Sequence, residues 1–168
     1  MTTIYAASLY GLFLSENIFT VASNRTIALL NGARITSFMI TLISYFFLTN
    51  IIFSFRIGLI PTTILLFLCS LLFMLHAFWS YNLEKSLNKD LLWVIILSIC
   101  LCELGFMLWF WPTSPTIVAL ILTAVTYVII GLAHAWIDKR FFRGVLTEYI
   151  WILIVAFIIL IFLTNWQG

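Results

Sequence analysis

Glu103 is the residue whose type and position offer the clearest chemistry. It lies about twelve residues into an apolar stretch that begins at Leu91, near the middle of a hydrocarbon layer that a helix crosses at about 1.5 Å per residue. Because a charge at that depth costs about 3 kcal/mol or more, we expect Glu103 to face the bundle interior and to be paired there, or to be protonated. Two roles remain open: an ion, proton or substrate contact, and a neutral acid hydrogen-bonded to a hydroxyl group of a neighbouring helix.

A stripe of small and polar residues in a later apolar stretch supplies candidate partners for Glu103. Its members follow helical spacings of seven, four, four, three and four, and they are Thr116, Thr123, Tyr127, Gly131, His134 and Asp138. Thr123 and Tyr127 fall near the depth of Glu103, so these three residues are the candidates for a polar intramembrane site. Small residues also let helices approach closely, and a plain packing seam is the alternative interpretation.

Two histidines form a weaker candidate site. His76 and His134 fall at similar depths in two apolar stretches, and Asp138 follows His134 by four residues on the same helical face. Imidazole and carboxylate groups can ligate a transition metal or relay protons. The sequence does not indicate that the two stretches are neighbours, and interfacial histidines commonly reach towards the headgroups. We therefore expect neither a metal nor a cofactor, and the metal site stays an alternative.

The amino-acid composition indicates whether water or lipid surrounds these residues. The 168-residue chain is 64% hydrophobic and 8% charged, with a mean hydropathy of +1.20. A soluble domain is nearer half apolar and about a quarter charged. The chain therefore has too little polar surface to cover a water-soluble globule, and lipid must surround most of it.

Five apolar stretches are long enough to cross a membrane, which takes about 20 helical residues. They cover approximately residues 35–55, 59–81, 91–110, 115–137 and 149–164. None alternates as the strands of a membrane β-barrel do. The sequence therefore predicts an all-α integral membrane protein, with a bundle of about five transmembrane helices over residues 35–166. The last stretch is apolar all round, and we expect it at the edge of the bundle.

The Lys and Arg residues indicate the orientation of the spans. With five spans, one side of the membrane carries Arg56 alone, and the other side carries Arg25, Arg34, Lys85, Lys89, Lys139, Arg140 and Arg143. The positive-inside rule makes the cation-rich side cytoplasmic, which puts the N-terminus in the cytoplasm and the C-terminus outside. We expect Lys139, Arg140 and Arg143 to touch anionic headgroups. Basic residues that flank spans in this way do not support nucleic-acid binding.

Residues 1–34 are harder to place. Glu16, Asn17 and Arg25 interrupt the apolar residues of this segment, so it is too polar for a comfortable span and too apolar for a free tail. We expect an interfacial helix on the cytoplasmic face. A sixth span is the alternative.

The sequence carries no P-loop, HExxH, GxSxG or GxGxxG signature, and an enzyme is not the favoured interpretation. It predicts a non-catalytic accessory, assembly or scaffold subunit that acts through helix–helix contacts, with other membrane subunits or further copies of itself as candidate partners. One alternative is a small oligomeric transporter or channel that uses Glu103 and the stripe. The other is an intramembrane metal-dependent enzyme that uses His76, His134 and Asp138. Short loops and the lack of a targeting segment favour a prokaryotic inner membrane.

Overall fold

The computed structural model describes residues 2–22, 30–81, 88–137, 139 and 142–164. Over these residues the chain is helical and contains no strand, which confirms the all-α fold class. The six helices, with short connections between them, are α1 (Thr2–Ala22), α2 (Leu30–Ser54), α3 (Leu59–Tyr81), α4 (Asn88–Trp109), α5 (Pro115–Ile137) and α6 (Arg143–Phe162).

Five of the helices are long and apolar enough to cross a membrane. The spans are Gly32–Ser54, Leu59–Ser80, Leu91–Trp109, Pro115–Ile137 and Arg143–Phe162, and they coincide with the five predicted stretches. The largest difference is at α6, which begins six residues before the predicted start at residue 149. Hydropathy marks where a segment becomes apolar, whereas the helix continues as long as its backbone groups bond to one another.

The turn between α2 and α3 depends on backbone conformations that most residues avoid. Arg56 has a φ of 45° and Gly58 has a φ of 127°, and only a residue without a Cβ adopts the second of these at little cost. Pro61 lies in the first turn of α3, where its missing N–H group removes no helical hydrogen bond. The two spans are therefore joined by a sharp turn.

Helix α5 is the centre of the bundle, because it packs on α2, α3, α4 and α6. Helix α4 packs on α3 and α5, and α6 makes its extensive contacts with α5. The edge position predicted for the last span is confirmed. The first helix, α1, packs against α2 about as extensively as α2 packs against α3.

The interior of the bundle contains a column of hydroxyl groups that the sequence analysis missed. Four buried residues on α2 follow one another at spacings of four: Ser37, Thr41, Tyr45 and Thr49. Thr41 and Thr49 donate to the carbonyl oxygens four residues earlier, each at 2.7 Å. Tyr45 bonds to Ser70 of α3 at 3.0 Å between hydroxyl oxygens. Hydroxyl groups bonded in this way are compatible with a dry interior, and the bond between Tyr45 and Ser70 joins α2 to α3.

Candidate functional site

The orientation of α4 is set by one face that packs into the bundle. Its buried residues follow spacings of four, three, four and three, and they are Val94, Ser98, Leu101, Gly105 and Leu108. At Gly105 the α4 backbone comes so close to α3 that an added Cβ would overlap the side chain of Leu66, which is fully buried. This close approach fixes which face of α4 is turned inwards.

Glu103 lies on the opposite face of α4 and is exposed on the surface of the chain. Each residue turns a helix by about 100°, so Glu103 is about 200° around the axis from both Leu101 and Gly105. The expectation that Glu103 faces the bundle interior is therefore wrong for a single chain. The physical reason is the inward face itself, because the tight contact at Gly105 turns the carboxyl group outwards at mid-span.

Large apolar side chains accompany Glu103 on this outer face. We define the α4 seam as the exposed positions spaced four, three, four and three residues apart, namely Leu92, Ile96, Ile99, Glu103 and Phe106. An open surface groove of about 550 Å³, lined by Leu91, Leu92, Ile95 and Ile96, adjoins its N-terminal half. The seam is thus an apolar strip that contains one carboxyl group.

The predicted partners of Glu103 belong to other contacts. Thr123 donates to the carbonyl oxygen of Ala119 in its own helix at 2.7 Å. The ring of Tyr127 packs between Phe38 of α2 and Tyr149 of α6, at centroid distances of 5.6 and 5.7 Å. The stripe on α5 therefore lies against α2 and α6, and the structure does not bring it together with the outward carboxyl group of Glu103.

Gly131 explains why the α5 stripe contains small residues. An added Cβ at Gly131 would overlap the phenol ring of Tyr149, so α6 approaches α5 closely at this point. At the outer end of the stripe, the Thr116 hydroxyl lies 3.4 Å from the side-chain oxygen of Asn50 in α2. These contacts favour the interpretation of the stripe as a packing seam.

The two histidines have different partners. The Nε2 atom of His76 lies 3.2 Å from the Ser37 hydroxyl, and its Nδ1 atom lies 3.8 Å from a carboxylate oxygen of Glu16. The ring of His134 packs near Phe38, at a centroid distance of 6.1 Å. Asp138 lies outside the described residues. Within the described ranges, no group of three His, Cys, Asp or Glu residues is placed to hold a metal ion.

Glu16 is a site residue that sequence reasoning did not identify. It reaches His76 across 60 residues of sequence, and it belongs to a helix that we expected to lie flat on the membrane. The sequence shows that Glu16 interrupts an apolar segment. Residue spacing relates positions within one helix, however, and does not indicate that a residue of α1 contacts a residue of α3. The result is a polar contact that joins the C-terminal parts of α1 and α3 to the N-terminal part of α2.

The predicted headgroup contacts lie at the junction of α5 and α6. Lys139 and Arg143 are exposed there, and Lys139 adopts a φ of 55°. Arg140 lies outside the described residues. The exposed positions leave both described cations free to reach a membrane surface, and their contact with headgroups stays a prediction.

The chain belongs to a protein family described as "Protein of unknown function (DUF5656)", whose model matches residues 1–163. This match covers all six helices of the bundle. No curated protein and no solved structure matches the chain.

Proposed function

We propose that this member of the DUF5656 family is a non-catalytic membrane subunit that assembles with another transmembrane helix through the α4 seam. One observation carries the proposal: Glu103 is exposed near mid-span, on a face of α4 that is otherwise apolar. Lipid chains offer no hydrogen-bonding partner to a carboxyl group. A helix packed on the seam would provide one.

The free-energy cost of an exposed Glu103 depends on its depth in the membrane. A carboxylate at the centre of a membrane helix costs about 2.5–3.5 kcal/mol on insertion scales. An interhelical hydrogen bond in a membrane contributes about 0.6–2 kcal/mol. A partner on the α4 seam therefore offsets part of a penalty that a solitary chain retains in full, and this difference favours association.

The distribution of polar groups favours assembly over transport or catalysis. Glu103 points away from the α5 stripe, and Thr123 bonds within its own helix. His76 contacts Ser37 and Glu16, whereas the ring of His134 packs on Phe38. These groups do not converge on one site, as a substrate pathway or a catalytic centre requires.

Comparison of Glu103→Leu with Glu148→Leu tests the proposal. Both carboxyl groups are exposed, but Glu148 lies in the second turn of α6, near the membrane surface, and makes a matched control. The full chain would be extracted from its membrane in mild detergent, and the mass of the native complex measured. We expect Glu103→Leu to reduce this mass and Glu148→Leu to leave it unchanged. A complex that is insensitive to Glu103→Leu contradicts the proposal.

We also propose a topology in which the cation-rich ends face the cytoplasm and the C-terminus lies outside, in a prokaryotic inner membrane. Lys139 and Arg143 are exposed at the α5–α6 junction, and Arg56 marks the opposite side. The positive-inside rule supports this orientation. A cysteine accessibility assay on intact cells would label the C-terminal end and spare position 139. The reverse pattern contradicts the orientation.

The position of the N-terminus depends on α1, and we propose that α1 crosses the membrane beside α2. A Cβ added at Gly11, midway along α1, would lie 3.7 Å from the side chain of Thr36 and 3.4 Å from that of Ile40, so α1 packs closely on α2 here. These residues lie inside the apolar span of α2, which begins at Gly32. Ile40 lies eight residues, or about 12 Å, inside this span, which is deeper than the roughly 5–10 Å that a helix lying flat on the membrane reaches.

The outward side of α1 supports the same proposal. It exposes Tyr5, Tyr10, Phe13 and Leu14, whereas an interfacial helix presents a polar face rich in Lys and Arg to water. A crossing α1 puts both chain ends outside. Reporter tags at the two ends would then respond alike, and a cytoplasmic N-terminal reporter would restore the interfacial placement.

A further inference from the structure

We infer that the partner on the α4 seam is the same seam of a second copy of this chain, with the two Glu103 carboxyl groups bonded to each other. The inference rests on the proposed function, and it names the partner of the proposed interface. Three features of the described residues support it: the spacing of the seam, the chemistry of Glu103 and the contrast with α6. The membrane adds a fourth reason, because it brings two copies to equal depth.

The spacing of the seam matches that of paired helices. Its positions alternate steps of four and three residues, and the average of 3.5 residues is the repeat of a left-handed two-helix pair. From Leu92 to Phe106 the seam extends for about 21 Å at 1.5 Å per residue. Each exposed apolar side chain can therefore pack between side chains of the opposite helix over four turns.

A carboxylic acid is complementary to its own copy. In its protonated form it has one O–H donor and a carbonyl acceptor, so two such groups donate to each other and leave neither donor unsatisfied. An interface around a two-fold axis places identical residues opposite one another. Such a pair needs no basic residue in the partner.

The membrane brings the two Glu103 side chains to the same depth. Both copies insert with the same orientation, so a two-fold axis along the membrane normal leaves their α4 helices parallel. Glu103 then meets Glu103 at mid-span without any adjustment of register. The single polar residue in an apolar seam would fix that register, as a buried polar residue does in a soluble coiled coil.

Helix α6 lies at the edge of the bundle, and its exposed face can be compared with that of α4. Its exposed mid-span residues are all apolar, among them Val155, Phe157 and Ile158. Lipid can solvate such a face without cost. The outer face of α4 differs from it by one carboxyl group, and this difference selects the α4 seam rather than α6 as the site of pairing.

Disulfide cross-linking of single cysteines tests the inference. Cys69, Cys100 and Cys102 would be replaced by Ala in the full chain, and Ile99→Cys would be introduced on the seam. Val155→Cys on α6 is the matched control, because the two positions are similarly exposed at 43% and 50%. Oxidation in native membranes should yield a covalent dimer of the Ile99→Cys chain and little dimer of the Val155→Cys chain. Equal yields overturn the inference.

Two substitutions at Glu103 identify the chemistry of the pair. Glu103→Gln keeps a donor and an acceptor, so we expect the dimer dissociation constant in detergent micelles to change by less than about threefold. Glu103→Leu removes both, and we expect roughly 3- to 30-fold weaker association, the loss of an interhelical hydrogen bond. If Glu103→Gln weakens association as much as Glu103→Leu does, the reciprocal acid pair is refuted.

The outcomes separate this inference from the proposed function. A native complex that contains one copy of this chain and a different subunit, and that Glu103→Leu dissociates, overturns the second copy but keeps the α4 seam as an interface. If the chain stays monomeric and the mass of its native complex does not change with Glu103→Leu, both the second copy and the proposed function are overturned.

Discussion

Replacement of Gly105 by Ala should destabilise the bundle, because the added methyl group would overlap the fully buried side chain of Leu66. Overpacking of a core costs about 1–3 kcal/mol. The gain in helix formation from Gly to Ala offsets about 0.5–1 kcal/mol of this. We therefore expect Gly105→Ala to lower the free energy of unfolding by about 0.5–2 kcal/mol.

Gly32→Ala is the matched control for this change. Gly32 also lies in a transmembrane helix, but among the described residues no atom outside the neighbouring backbone of its own helix lies within 4 Å of the position of its added Cβ. We expect Gly32→Ala to leave the free energy of unfolding unchanged or to raise it by up to about 1 kcal/mol. Unfolding would be followed by tryptophan fluorescence during titration of a denaturing detergent into mixed micelles.

A double substitution identifies the contact as the cause. Leu66→Ala alone should cost about 2–5 kcal/mol, since it leaves a cavity in the core. In the double variant, the methyl group at position 105 occupies part of that cavity. The cost should then be smaller than the sum of the two single costs by at least about 0.5 kcal/mol. Strict additivity, or equal effects of Gly105→Ala and Gly32→Ala, would refute the close contact that turns Glu103 outwards.

Three further substitutions test other contacts of the bundle. Gly131→Ala should loosen the α5–α6 contact, because the new methyl group meets the Tyr149 ring, and faster hydrogen exchange confined to α6 would be the sign. Tyr45→Phe should lower the unfolding free energy by about 0.6–2 kcal/mol through loss of the 3.0 Å bond to Ser70, whereas an unchanged value would contradict a contribution from that bond. Glu16→Gln should change global stability by less than about 1 kcal/mol, because the contact between Glu16 and His76 is partly exposed. Its effect should appear as faster hydrogen exchange in α1, and an effect spread over all six helices would contradict this local role.

The sequence contained enough information to locate the spans, because each depends on local composition. Residues 59–81 and 115–137 were predicted with the bounds that α3 and α5 have. The edge position of α6 could also be predicted, since a helix without polar groups has no face that needs a protein partner.

The direction of Glu103 could not be predicted from the same information. Helix α4 is apolar on almost every side, so its hydropathy does not distinguish the inward face from the outward face. That choice depends on the close approach of Gly105 to Leu66, two residues 39 positions apart in the sequence. We assumed that a carboxyl group must face its own bundle, whereas a partner helix can satisfy it equally well.

The contact between Glu16 and His76 could not be predicted from the sequence for a related reason. It depends on where α1 lies, and a helix with one acidic residue and no cation gives no clear signal for a span or for an interface. By contrast, the spacing of four residues from Ser37 to Thr49 was legible in the sequence. This regular spacing of hydroxyl groups on α2 could have indicated the inward face of that helix.

Measuring the accessibility of the α4 seam to lipid is the most direct test of the claim that another helix covers this seam. A spin label would be attached to Ile99→Cys or to Val155→Cys in the full chain, reconstituted in bilayers, and its collision rate with dissolved oxygen measured. We predict a rate several-fold lower at position 99 than at position 155, because a helix covers the seam and lipid covers α6. Equal rates at the two positions would mean that lipid contacts the outer face of α4, and would contradict the claim.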